Sequence, residues 1–230
     1  MMRKQMKKTS LFLFACCLAW STGFGQAPVK IDSSYANWYY QSRRELYDQL
    51  SDKVDIVFLG NSITERGEWS ELIQKKRIAN RGIGGDNSFG VKARLQCIIA
   101  QKPSKVFIMI GINDLGRGLP VEVIVNNYRQ IVAQLQSGLP KTKLYVQSVL
   151  PLNEAMLKYD YLKGKNPKVK ALNGELQKLA KQFDLTFINL HEVMAGADGE
   201  LKKEFTKDGI HLTTDAYLVW AAYLKKKKLL

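Results

Sequence analysis

Five short apolar runs recur along the chain from residue 55, at 55–60, 78–83, 105–111, 143–150 and 185–190. Between them the apolar positions switch to helical spacing. Val121, Ile124, Val125, Tyr128, Ile131, Val132 and Leu135 fall on one face of a helix that Pro120 starts and Gly138-Leu139-Pro140 stops. Residues 167–182 and 213–229 read as further helices, and 38–50 as an extra helix ahead of the first strand. Short strands alternating with amphipathic helices predict an α/β fold, a parallel sheet covered on both faces. Right-handed crossovers over five strands favour a doubly wound sheet of order 2-1-3-4-5, in which ligands bind beyond the carboxyl ends of the strands.

The first 25 residues stand outside this pattern. Arg3, Lys4, Lys7 and Lys8 precede an apolar stretch at 11–20, and Gly23-Phe24-Gly25 offers small residues for cleavage. That is the plan of a secretory signal peptide, with an apolar core too short to span a bilayer. The expected organisation is therefore a signal peptide over 1–25 and a single domain over 26–230, of which 26–54 is a helical N-terminal extension. The expected location is periplasmic or secreted, without stable membrane insertion after cleavage. Leu13-Phe14-Ala15-Cys16 loosely resembles a lipoprotein box, but bulky Phe14 and the short apolar run before Cys16 argue against lipid anchoring.

Removing the leader lowers the net charge from +14 to +10, because four cations and no acids leave with it. The remaining excess invites a nucleic-acid reading, yet its densest run, Lys225 to Lys228, ends a helix, where cations complement the macrodipole. No aromatic-rich basic motif accompanies it, so no nucleic-acid partner is expected. Cys97 would be the only cysteine left, which excludes an internal disulfide and places stability in the core. Two histidines and one cysteine far apart form no recognisable metal-ligand set, and no cofactor is expected.

Candidate chemistry gathers at one sheet edge. Asn61-Ser62 follows strand one, Asn80 to Ser88 (NRGIGGDNS) follows strand two, and Gly111-Ile112-Asn113-Asp114 follows strand three. In the expected order these three turns are neighbours. Asp208-Gly209-Ile210-His211 lies before the last helix, at the end of a connection long enough to reach back. Such residues permit acyl transfer. A serine hydroxyl needs a base, which His211 supplies, and the imidazole needs an acceptor to fix its tautomer, which Asp208 supplies within one turn. Backbone N–H groups at Ser62 and in the glycine-rich turn, with the Asn113 amide, would stabilise an oxyanion. Alone, each motif has a plainer reading, as a helix cap, a tight turn or surface polar residues. Coincidence of all four at one edge favours the chemical reading.

Gly60-Asn61-Ser62-Ile63-Thr64, the turn ending in Gly85-Asp86, Gly111-Ile112-Asn113-Asp114 and Asp208-Gly209-Ile210-His211 resemble the four blocks of the SGNH (GDSL-type) hydrolases. They match in order and spacing over residues 55–230, closest to the branch of platelet-activating-factor acetylhydrolase α subunits and bacterial carbohydrate O-acetylesterases. The resemblance implies a three-layer, flavodoxin-like fold. It also implies Ser62 as nucleophile, Asp208 and His211 as its partners, and Ser62, Gly85 and Asn113 as the oxyanion hole. Asn61 stands where the family usually has aspartate, at a position outside its catalytic groups.

Substrate signals are thinner. The long connection 151–167 carries Tyr159, Tyr161, Lys158, Lys163 and Lys165, which suit a sugar face with nearby negative charge. Tyr159 and Tyr161 are the expected substrate contacts. The expected function is an exported esterase removing a short acyl group, acetyl above all, from a small-molecule or glycan ester. A lysophospholipase or thioesterase is the enzymatic alternative, and a catalytically silent carbohydrate-binding module the non-enzymatic one. His191 also ends a strand, but three strands from the first, and is expected to be a rim residue.

Overall fold

The apolar runs form β1 (Ile56–Gly60), β2 (Ile78–Gly82), β3 (Lys105–Met109), β4 (Lys143–Gln147) and β5 (Thr186–Ile188) in a computed structural model. It describes residues 31–74 and 76–230, so the expected signal peptide lies outside the described residues. The strands pair in parallel in the order β2-β1-β3-β4-β5, the order expected from the strand–helix alternation. Around them, in chain order, run α1 (Trp38–Gln49), α2 (Ser62–Glu65), α3 (Trp69–Leu72), α4 (Ser88–Ala93), α5 (Leu95–Ala100), α6 (Ile112–Gly116), α7 (Val121–Gly138), α8 (Asn166–Gln182), α9 (His191–Met194) and α10 (Thr214–Lys226).

Strand alternation separates two apolar layers. Phe58, Phe107 and Tyr145 are register partners on β1, β3 and β4, and they stack at centroid distances of 4.9 and 4.6 Å. Trp69 of α3 stacks on Phe58 at 4.0 Å and meets Trp220 of α10 edge-on. The long amphipathic helix α7 buries Ile124, Tyr128, Ile131, Val132 and Leu135 and packs against α4, α5 and α8. Cys97 is buried and unpaired.

Three strands stop two or more residues before their apolar runs end. After Met109 the Ile110 N–H donates to the Tyr128 hydroxyl, which donates back to the Ile110 carbonyl, both at 2.9 Å. Beyond Gln147, Asn173 bonds the N–H and C=O of Val149, and Asn166 does the same for Leu152. The Leu190 N–H beyond β5 is taken by the Ser148 hydroxyl. These side chains satisfy the backbone where it leaves the ladder, so the apolar residues stay buried while the chain turns at the carboxyl edge.

Candidate active site

Each turn at the carboxyl edge has a local reason for its shape. A side chain on Gly60 would collide with the Thr64 hydroxyl and the Met109 carbonyl, so β1 can end in this turn only with glycine. Asn61, buried, accepts the Ile63 N–H at 3.0 Å and caps α2. Ser62 therefore occupies the first position of that short helix, so the cap and the presented serine are both real.

The loop before α10 closes on the serine from the other side. His211 Nε2 lies 3.0 Å from Ser62 Oγ, and His211 Nδ1 lies 2.6 Å from Asp208 Oδ2. Asp208 Oδ1 accepts the backbone N–H groups of His211 at 2.8 Å and Ile210 at 3.2 Å. Burial works against the charge of Asp208, but hydrogen bonds from the His211 ring and these two amides outweigh it and hold the carboxyl below its usual range. With Nδ1 protonated toward the carboxylate, Nε2 is left as an acceptor for the serine proton. Gly209 makes the reversal possible. Its φ is +84°, and a Cβ there would meet the Leu157 backbone at 2.5 Å.

The donor side lies on β2 and β3. Gly85 has φ of +75° and open space where a side chain would sit. Neither its N–H nor that of Ser62 donates to another group among the described residues. Asn113, on α6 behind Gly111, directs one amide N–H at the Asp86 carbonyl, 2.8 Å away, and has a second N–H to offer. Ser62, Gly85, Asn113, Asp208 and His211 are thus set around one edge. The arrangement can take a proton from a hydroxyl and meet negative charge with three N–H donors.

Other residues take places that their spacing did not announce. The Tyr159 hydroxyl points at Asp208 Oδ2 at 3.4 Å and its ring lies edge-on to His211, so it backs the Asp208–His211 pair from within the 151–167 connection. Tyr161 is the exposed tyrosine and rests on Gly116 of α6. That connection is bonded to the Asp208–His211 loop through Asn153 N–H to Gly209 O at 2.9 Å and Lys158 N–H to Asp208 O at 3.1 Å. Behind the donors, Arg94 and Asp86 form a fully buried ion pair at 2.9 Å, and Arg94 also donates to the Gly60 carbonyl. Ser88 donates its N–H and hydroxyl to buried Asp114, whose carboxyl burial pushes up against those bonds. His191 starts α9, has no bond to Ser62, and burial lowers its basicity.

Residues 58–219 match the model of the GDSL-like Lipase/Acylhydrolase family. Platelet-activating factor acetylhydrolase IB subunit alpha2 of Rattus norvegicus is 27% identical over 187 residues, which cover 78% of this chain and 78% of that one. A solved Streptococcus pneumoniae structure, of a candidate platelet activating factor, superposes with a TM-score of 0.75 at 29% identity, covering 82% of this chain and 92% of the other. A GDSL-like lipase from Bacteroides thetaiotaomicron gives 0.71 at 26%, covering 83% and 98%.

Proposed function

Since the chain belongs to the GDSL-like lipase/acylhydrolase family, we propose that it is a serine esterase that removes short acyl groups, acetyl in particular, from carbohydrate esters. The observation that carries the chemistry is the 3.0 Å approach of His211 Nε2 to Ser62 Oγ, with Asp208 behind the ring. In this reading Ser62 Oγ attacks the acyl carbonyl while its proton passes to His211 Nε2. The Ser62 and Gly85 N–H groups and the Asn113 amide receive the oxyanion, and Asp208 stabilises the imidazolium. The C–O bond to the alcohol breaks as His211 returns the proton to the leaving oxygen. Water, deprotonated by the same imidazole, then hydrolyses the acyl-serine and restores the Ser62 hydroxyl.

Two features support a short acyl group and a polar alcohol. The sequence relative is named an acetylhydrolase. Exposed Tyr161, with Lys158 and Lys163 on the same connection, offers an aromatic face and cations to a sugar. Export remains part of the proposal, on the leader-like pattern of residues 1–25.

The test is a chain-length series. Burying each further methylene in a deep apolar channel would contribute about 0.8 kcal/mol, a severalfold gain per CH₂. A short acyl pocket instead loses rate once the chain outgrows it. On p-nitrophenyl esters, kcat/KM should be highest for acetyl or propionyl and fall by octanoyl, with acetylated sugars accepted. Rates that climb steadily to octanoyl would replace the carbohydrate assignment with a lipid-active one.

A further inference from the structure

The family match begins at residue 58, yet the segment just ahead of it is bonded to all three turns at the carboxyl ends of β1, β2 and β3. On the β1 side, the Tyr39 hydroxyl donates to Glu65 Oε1 at 2.6 Å, and Arg43 Nε lies 3.7 Å from the same oxygen. On the β2 side, Tyr47 donates to the Gly82 carbonyl at 2.7 Å and Tyr40 to the Gly90 carbonyl at 2.8 Å, bracketing the glycine-rich turn. The Ser34 carbonyl accepts the Asn87 amide inside that bracket. On the β3 side, Arg117, which ends α6, donates to the Ser34 carbonyl and hydroxyl.

The point where this network meets the chemistry is Gly84. A Cβ there would lie 3.1 Å from Glu65 Oε2 and 3.4 Å from Tyr39 Cε1, so the carboxylate and the tyrosine ring stand in the place of its missing side chain. The next residue, Gly85, has φ of +75° and open space where a Cβ would sit, in a turn closed by the Asp86 N–H to the Ile83 carbonyl at 3.2 Å. Glu65 lies three residues beyond Ser62 on the same helix, so one carboxylate links the nucleophile helix to the donor turn.

We infer that residues 32–49 act as a strap that positions the oxyanion donors, with Tyr39 and Glu65 as positioning residues that set the aim of the Gly85 N–H relative to Ser62. The inference rests on the serine-esterase reading. Preorganised donors act only when aimed at the developing charge, and a misplacement of about 1 Å can cost up to about 10²-fold in rate. Loosening the strap should therefore lower kcat and leave KM alone, since the ground-state carbonyl draws little on those donors.

The experiment uses the full-length enzyme with Tyr39→Phe, Glu65→Gln, the double variant, and Arg44→Ala as a control on the outer face of α1, where Arg44 pairs with exposed Asp48. Both single replacements keep side-chain shape and remove one polar group. Active sites are first counted by fluorophosphonate titration, so that misfolded protein does not enter the rate. Per titrated site, each single variant should lose about tenfold in kcat on p-nitrophenyl acetate with KM within about twofold. The double variant should be no worse than the poorer single, because Tyr39 acts through Glu65. Arg44→Ala should match wild type. Unchanged kcat per titrated site in both single variants would reduce the strap to a stability element and overturn the inference. A rise in KM alone would overturn it too, by making Glu65 a substrate contact. If wild type takes up no fluorophosphonate, the esterase reading itself fails, an outcome separate from either.

Discussion

His211→Ala is expected to remove nearly all ester hydrolysis, a loss on the order of 10⁶ in kcat, as large as that of Ser62→Ala, because nucleophile and base act as one unit. The geometry gives the reason. Ser62 Oγ has one imidazole nitrogen in reach, at 3.0 Å, and Asp208 holds that ring through Oδ2 while its Oδ1 accepts the His211 and Ile210 amides. Folding should be little affected, since the loop is held by backbone bonds to Asn153 and Lys158 that do not use the imidazole. His191→Ala is the matched control. Its Nε2 is buried without a hydrogen-bond partner and it makes no contact with Ser62 among the described residues, so activity should stay within about threefold of wild type. Assays of both variants on p-nitrophenyl acetate, beside their thermal midpoints, check the pair. The reverse pattern would mean that the loop before α10 does not reach the serine.

The largest effect on stability should come from Arg94→Met. The Arg94 and Asp86 side chains have no solvent exposure, and the guanidinium also bonds the Gly60 carbonyl at 3.0 Å, joining the Ser62 turn to the glycine-rich turn. Removing one member of a buried pair leaves the other charge uncompensated and costs about 3–5 kcal/mol. The cost should depend on pH. Burial already pushes the Asp86 carboxyl up to about 6 with its cation present. A carboxyl whose pKa is raised in the folded state binds its proton there preferentially, so its ionisation destabilises above that pKa and the penalty fades as pH falls through it. Without the cation that pKa rises further, so the gap between variant and wild type should be wider at pH 8 than at pH 5. Asp86→Leu added to Arg94→Met should recover part of the loss, because an apolar pair carries no desolvation penalty. Urea unfolding across that pH range measures all three. A single variant within about 1 kcal/mol of wild type at pH 8 would show that the pair does not hold the turns together.

Periodicity carried the architecture. Apolar runs alternating with the α7 stripe were enough for five parallel strands, and the handedness of crossovers was enough for their order. The rule that ligands gather beyond the carboxyl ends of strands then brought Ser62, Gly85 and Asn113 to one edge before any coordinates. Strand ends were not legible, because the groups that take over the backbone bonds there are side chains from another element: Tyr128 for Ile110, Asn173 for Val149 and Asn166 for Leu152. Tyr159 was expected to meet substrate. Its aromatic, loop-borne character pointed to the site, but only the fold shows its hydroxyl on Asp208, 49 residues away. The Tyr39–Glu65 bond and the Arg94–Asp86 pair left no pattern either, since an isolated charge or tyrosine in a helix reads as a solvated face. What marks them is the partner each meets and, for Arg94–Asp86, full burial, both properties of the folded chain.

Fluorophosphonate labelling followed by peptide mass spectrometry tests the central assignment most directly, because such a probe bonds only to a serine whose proton is taken up as the bond forms. One adduct is expected per molecule, on the peptide that contains Ser62, with hydrolysis of p-nitrophenyl acetate falling in step with labelling and neither labelling nor hydrolysis in Ser62→Ala. An adduct on another serine, or wild-type hydrolysis by Ser62→Ala, would contradict the assignment of Ser62 as the nucleophile.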